Sequence, residues 1–186
     1  MTMGARYERL AALDAAFHLP TYARQPVLFE RGEGMRLYDD QGRELKSFDV
    51  KDGLGVVVLG RMGIGTLLLT AKDGKIVHQR GKDMRALEVI AGVLPKEKML
   101  TVIEEKYKIK RENICFIGDD WIDIGMIEQV GVGVAVADAP AIVKKSAVYV
   151  TKNKGGEGAV REVIDLILKA QKLEGKVMEL IRNPSW

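Results

Sequence analysis

Beyond residue 47 the chain alternates short apolar runs with longer segments whose apolar residues recur three and four apart. The runs GTLLLT (65–70), EVIAGV (88–93), NICFIG (113–118), VGVAVA (132–137) and SAVYVT (146–151) are too short for helices and rich in β-formers, so they predict buried strands. Between and after them, KIVHQRGKDM (75–84), EKMLTVIEEKYKI (97–109), DIGMIEQV (123–130) and GAVREVIDLILKAQKLEGKVMELI (158–181) carry the one-sided pattern of surface helices. Strand and helix in alternation predict an α/β fold, a Rossmann-like parallel sheet built of βαβ units. Ahead of it, MRLYDDQGRELKSFDV (35–50) alternates polar and apolar residues around Asp40-Gln41-Gly42 and predicts a β-hairpin. No internal repeat or low-complexity segment interrupts this pattern.

Composition narrows the picture without changing it. With 186 residues, 47% hydrophobic and 30% charged, the chain has the means for one globular domain with a real core. The net charge of +3 is spread among acidic neighbours, which argues against a nucleic-acid partner. The single cysteine, Cys115, sits inside an apolar run and reads as a small buried hydrophobe, so no disulfide framework exists. No run approaches the roughly 18 apolar residues of a membrane span, and the first residues lack a long apolar leader core. The expectation is a soluble protein of the reducing cytoplasm, with no membrane partner.

Candidate chemistry is concentrated at ICFIGDDWIDIGMI, where an apolar strand runs into Asp119 and Asp120 and a third acid, Asp123, follows one turn later. Ligands of open α/β sheets bind at the carboxyl ends of strands, and clustered carboxylates suit a hard cation such as Mg²⁺. The alternative is that Asp119 or Asp120 only caps the next helix. Thr70 ends a second strand, where its hydroxyl could meet a phosphate oxygen, and Lys96 follows a third, where its ammonium could offset phosphate charge. Alone, a threonine ending a strand is usually just a cap, and a solvated surface lysine is the default reading. Together they form a hydroxyl, a cation and an acidic metal site, the equipment of phosphoryl transfer by positioning and electrostatics.

With the segments YDDQGRELKSFDVKDGLG, GDDWID and GGEGAVREV, residues 37–171 resemble the haloacid dehalogenase superfamily, and within it the 3-deoxy-manno-octulosonate 8-phosphate phosphatases of lipopolysaccharide biosynthesis. The resemblance implies a Mg²⁺-dependent phosphatase acting on a phosphorylated sugar acid. It also implies a HAD-like domain over 35–186 with a projecting hairpin and no large cap domain, after an atypical segment 1–34. It makes Thr70 the phosphate-binding hydroxyl and Lys96 the lysine that steadies nucleophile and phosphate, with Lys98 a less well-spaced substitute. Asp119 becomes the direct Mg²⁺ ligand, supported by Asp120 and Asp123. Ala71 and Lys72 stand where the family has glycine and arginine, which leaves Lys72 facing substrate. Asp52 either touches substrate or caps the first helix. The family assembles as a homotetramer through such hairpins, and Arg161 would reach a neighbouring subunit's site.

One element is missing. The family's nucleophile loop, Asp-x-Asp-Gly, ends an apolar first strand some twenty residues before FDVKDG, so Asp49 and Asp52 belong to a different element. On an extended backbone two acids three residues apart also point to opposite sides. Alignment backwards without gaps sets PVLFERGEG (26–34) at the nucleophile loop, with Pro26 in place of the nucleophile and Leu28 in place of the general acid/base. Neither can attack phosphorus or carry a proton. The lost first aspartate is also the family's second direct carboxylate on Mg²⁺. Residues 20–44 are themselves similar to the opening of acetylornithine-type aminotransferases, which use pyridoxal phosphate. The chain has no room for their cofactor domain and no segment like their Schiff-base lysine region. The readings left are a phosphatase of doubtful activity, an inactive ligand-binding or oligomeric scaffold, and a recombined or artificial chain.

Overall fold

The computed structural model describes residues 8–9, 29–33, 36–39, 44–46 and 48–183. The chain divides into two compact units, Met1–Ser47 and Phe48–Trp186. In the first unit, β1 (Phe29–Glu33), β2 (Arg36–Asp39) and β3 (Glu44–Lys46) form an antiparallel sheet in the order β1-β2-β3. The expected hairpin is present as β2 and β3, with Leu37 opposite Leu45. It gains a third strand that the sequence reading did not anticipate, in which Gly32 pairs with Leu37. Its expected turn, Asp40-Gln41-Gly42, lies outside the described residues, as do Pro26 and Leu28.

The second unit alternates helix and strand: α1 (Val50–Arg61), β4 (Leu67–Thr70), α2 (Lys75–Asp83), β5 (Glu88–Ala91), α3 (Met99–Tyr107), β6 (Cys115–Gly118), α4 (Ile124–Ile127), β7 (Val132–Ala135), α5 (Ala141–Ser146), β8 (Tyr149–Val150), α6 (Ala159–Ala170) and α7 (Glu174–Arg182). All five predicted strands form, each shorter than its apolar run. Their pairing is parallel throughout: β4 with β5, and separately β6 with β7 and β7 with β8. This is the expected α/β fold, but its parallel strands fall into two groups rather than one continuous ladder among the described residues.

Two apolar clusters hold the unit. One joins Val56, Val58 and Leu59 of α1 to Ile164 and Leu168 of α6, with Leu68 of β4 packed against it. The helices approach closely because α1 presents Gly55, where a Cβ would lie 3.1 Å from a methyl of Ile164. The other gathers Ile127, Ala135, Val136, Val143 and Ala159 around β7, with Phe116 and Ile117 beside them. No helix among the described residues is long and apolar enough to cross a membrane.

Several boundaries differ from expectation for local reasons. Val50 opens α1 instead of closing the hairpin, because the Asp49 carboxylate accepts from the N–H groups of Lys51 (2.6 Å) and Asp52 (3.4 Å) and so caps a helix there. The cap is therefore Asp49, not Asp52. The segment 97–109 enters through a 3₁₀ turn at Lys96–Lys98 before α3 and stops where Lys108 adopts φ +53°. The segment 123–130 shrinks to the four residues of α4 behind another 3₁₀ turn, Trp121–Asp123. The long helix 158–181 breaks at Lys172 (φ +56°), where the Leu173 N–H donates to the Leu168 carbonyl (2.8 Å) and Leu173 folds back onto the first apolar cluster.

Asp52 has a structural post of its own. It is 7% exposed, and its carboxylate accepts from the N–H of Arg161 (2.8 Å), closing the first turn of α6. Loss of water pushes its pKa above the usual carboxylate range, and the Arg161 N–H opposes that shift only in part. A raised folded pKa means that the stability favouring protonation is complete below the unfolded pKa and is lost as pH rises through the folded one. Asp52→Asn, which keeps an acceptor oxygen without the charge, is therefore expected to be more stable than the parent at pH 7, with the gain vanishing as pH falls into the acid range. Asp52→Ala should lie about 1 kcal/mol below Asp52→Asn at pH 7 for want of a cap. Urea titrations at both pH values check the order.

Candidate functional site

The acidic turn after β6 is built around Asp123. Strand β6 ends at Gly118, and the chain then turns back on itself through Trp121–Asp123. The Asp123 side chain lies across Gly118 so closely that a Cβ there would meet Asp123 Cβ at 2.5 Å, so only glycine fits. Asp123 is 1% exposed and fully partnered: Oδ2 accepts from the N–H groups of Asp119 (2.9 Å) and Asp120 (3.1 Å), and Oδ1 from Lys96 Nζ (2.5 Å). Asp120 in turn accepts from the Trp121 N–H (2.7 Å), a reciprocal cap of the 3₁₀ turn.

Lys96 arrives from the other strand group. It follows β5, is 7% exposed, and its ammonium lies 6.0 Å from the Phe116 ring centre as well as on Asp123. Lys98, the alternative, is exposed. The Lys96–Asp123 pair thus ties the carboxyl end of β5 to that of β6. Asp119 stands beside it, exposed to water, with its carboxylate close to that of Asp123. Its pKa is raised, first by partial desolvation and then by the negative charge of Asp123; Lys96 pulls the other way, and Asp120 adds to the rise.

The other predicted residues take separate places. Thr70 ends β4 at the carboxyl edge, level with Ala91 of β5, and its hydroxyl accepts from the Lys72 N–H (3.2 Å), steadying the loop that leaves the strand. Lys72 is exposed on that loop. Arg161 lies on α6, its N–H on Asp52 and its guanidinium on Asp165 (2.8 Å). The structure thus joins Lys96, Asp119, Asp120 and Asp123 in one hydrogen-bonded group and pairs Asp52 with Arg161 elsewhere. Among the described residues, no group of three or more His, Cys, Asp or Glu side chains is set to hold a metal by itself. The cleft between β5 and α3, lined by Ile90, Met99, Val102 and Ile103, contains none of these residues.

Sequence reasoning missed Arg80. From α2 it donates to the Asp49 carbonyl (2.9 Å) and covers the Phe48 ring at 4.9 Å, fixing the entry to α1. Nothing in its spacing marks it, since the contact spans 31 residues.

The chain matches the haloacid dehalogenase-like hydrolase family over residues 70–164. It is similar to the 3-deoxy-D-manno-octulosonate 8-phosphate phosphatase of Yersinia pestis, 40% identical over 144 residues that make up 77% of each chain. Among solved structures it is similar to the enzyme of the same name from Moraxella catarrhalis, in complex with magnesium, phosphate and KDO (TM-score 0.74, 31% identity, 83% of this chain and 89% of that one). A second is the cobalt-bound deoxy-D-mannose-octulosonate 8-phosphate phosphatase of Haemophilus influenzae (TM-score 0.68, 36% identity, 73% and 79%). The aminotransferase likeness of residues 20–44 finds no support in these matches.

Removing one partner of a buried ion pair leaves the other charge stranded. Lys96→Met is expected to cost about 3–5 kcal/mol of folding stability. Adding Asp123→Asn to Lys96→Met should recover part of that loss, because the stranded charge is gone. Urea unfolding of the single and double variants reads both.

Proposed function

Because the chain belongs to the haloacid dehalogenase-like hydrolases, we propose that it is a Mg²⁺-dependent, sugar-acid phosphatase of the 3-deoxy-D-manno-octulosonate 8-phosphate type that keeps the binding half of the site and has lost the nucleophilic half. The observation that carries this reading is the buried Lys96–Asp123 pair with Asp119 beside it at the carboxyl edge. Three carboxylates against one ammonium leave that edge negative, so a phosphate dianion requires a cation to approach it. The donors fit Mg²⁺ in its water-rich form, which takes one or two carboxylates and completes its shell with water and substrate phosphate. Asp119 would be the direct ligand, with Asp120 and Asp123 orienting the turn that carries it. When bound, the ion supplies charge neutralisation for the phosphate oxygens.

The chain's own residues do the rest. Asp123 fixes the Lys96 ammonium where it can face a phosphate oxygen, and the Thr70 hydroxyl and the Lys72 loop border the same carboxyl edge on β4. Arg161, whose guanidinium lies on Asp165 at the surface of α6, would serve substrate from a neighbouring copy, while Asp52 is held in its structural post under α6. No group at Pro26 or Leu28 can attack phosphorus or move a proton. Nucleophile and acid/base act as a unit, so what survives is the small acceleration from positioning and charge stabilisation.

Purified protein with Mg²⁺ and a phosphorylated sugar acid is expected to bind substrate in titration calorimetry while releasing phosphate barely above background. Asp119→Asn should abolish the binding, and Pro26→Asp with Leu28→Asp should raise the rate. Rapid turnover by the parent chain that tracks with Asp119 would overturn the proposed loss and direct attention to Asp39, Asp49 and Asp52 as nucleophiles.

The same reading includes a cytoplasmic homotetramer assembled through the hairpin. A monomer mass in light scattering at micromolar concentration would remove that part of it.

A further inference from the structure

We propose that Lys154 binds the carboxylate of the substrate, at the end of the sugar acid opposite its phosphate. The inference rests on the phosphatase reading above and adds the group that would select an acid over a neutral sugar. Its ground is the register of β6, β7 and β8. Gly118 pairs with Ala135 and Ala135 with Val150, so the residues that follow, Asp119, Val136 and Thr151, leave the sheet level with one another. The ladder continues past the strands, since the Val136 N–H donates to the Gly118 carbonyl (3.1 Å) and the Thr151 N–H to the Ala135 carbonyl (2.9 Å). Two strand spacings, roughly 10 Å, separate Asp119 from Thr151.

After Thr151 the chain turns back over β7. The Asn153 carbonyl accepts from the Ala137 N–H (3.2 Å), and the Gly155 N–H donates to the Asp138 carboxylate (2.8 Å). A Cβ on Gly155 would lie 3.6 Å from a methyl of Val136, the residue level with Asp119. Lys154 stands between these two anchors. Its backbone therefore lies over the end of β7, about one strand spacing (~5 Å) from the line of β6. The loop is held from its other side as well. Glu162 of α6 accepts from the Tyr149 hydroxyl (2.7 Å) and from the N–H groups of Lys152 and Asn153 (3.0 Å each). The buried Thr151 hydroxyl donates to the Asn153 carbonyl (2.6 Å), and the Glu157 N–H closes a turn on the Lys154 carbonyl (3.1 Å). These bonds fix the Lys154 backbone and use none of its side chain, which is exposed and carries its charge on a flexible four-carbon stem.

Charge decides what this lysine can do. An octulosonate 8-phosphate carries its carboxylate and its phosphate at opposite ends of an eight-carbon chain. With the phosphate at Asp119 and Lys96, the carboxylate must settle away from three aspartates that repel it, beside a cation of its own. The other cations of the edge have different posts. Lys96 is matched to Asp123, the Lys152 charge lies in the field of Glu162, and the Arg161 guanidinium is on Asp165. Lys72 follows Thr70 and so stands at the phosphate end in this reading. Lys154 is at the right remove, on a loop whose position is fixed while its ammonium is free to reach a ligand.

The test is titration calorimetry of the full chain with Mg²⁺ and four ligands: 3-deoxy-D-manno-octulosonate 8-phosphate, its carboxamide, the unphosphorylated sugar acid and inorganic phosphate. Lys154→Met should weaken binding of the two acids by about tenfold and leave the carboxamide and inorganic phosphate within about twofold. Lys154→Arg should restore the acids, and Lys152→Met should leave all four ligands unchanged. Three results would overturn the proposal. Lys154→Met could leave the acids unaffected. It could weaken acid and carboxamide alike, which would mean a general loss of positive charge. Or Lys152→Met could produce the selective loss instead. Failure of the phosphatase reading looks different: the parent chain would then bind neither inorganic phosphate nor the phosphorylated carboxamide. A sugar acid that still binds, in a manner lost with Lys154→Met, would uphold the carboxylate site even so, and a chain that binds none of the four would remove both.

Discussion

A carboxylate with almost no exposure to water is tolerable only when each lone pair has a donor, and that requirement at Asp123 organises the carboxyl edge of this protein. To meet it, the chain after β6 tightens into a 3₁₀ turn that brings two N–H groups to one oxygen, and Lys96 crosses from β5 to reach the other. Gly118 is obligatory because the side chain lies on it. Lys96 is thereby removed from solvent and its charge given a fixed position. Asp119 is the residue this arrangement leaves facing water, its N–H used by Asp123.

The division of labour among the three aspartates also explains the electrostatic character of the site. Lys96 is matched to Asp123 at contact distance, so little of its field is left to attract an anion. In the proposed reading, such an edge takes a phosphate dianion only together with a cation. The solved relative with magnesium and phosphate in one complex is consistent with that logic.

Much of this was legible in the sequence because it depends on local pattern. The five apolar runs located all five parallel strands, and GDDWID marked the turn where the acids gather. What could not be read was which acid is buried, since Asp119, Asp120 and Asp123 differ only in how a 3₁₀ turn aims them. The choice between Lys96 and Lys98 has the same character: Lys96 is the one that reaches across strands to Asp123, while Lys98 is exposed. Asp49 takes the cap expected of Asp52 because it meets its own helix, while Asp52 meets a helix that begins more than a hundred residues later. The periodicity of 158–181 continues through its break, because Leu173 is apolar on either side of the turn that carries it back to the core.

The Asp52–Arg161 bond spans 109 residues, and the apolar face of α1 is covered largely by the helix at the far end of that span. On a ribosome adding about 5–20 residues per second, α1 waits on the order of 5–20 s after its own synthesis before its partner exists. During that interval Val56, Val58 and Leu59 have only β4 and its neighbours to lie against. A chain organised in this way closes from its ends rather than growing outward from its start, and its early intermediates expose the surface that its last long helix is there to hide.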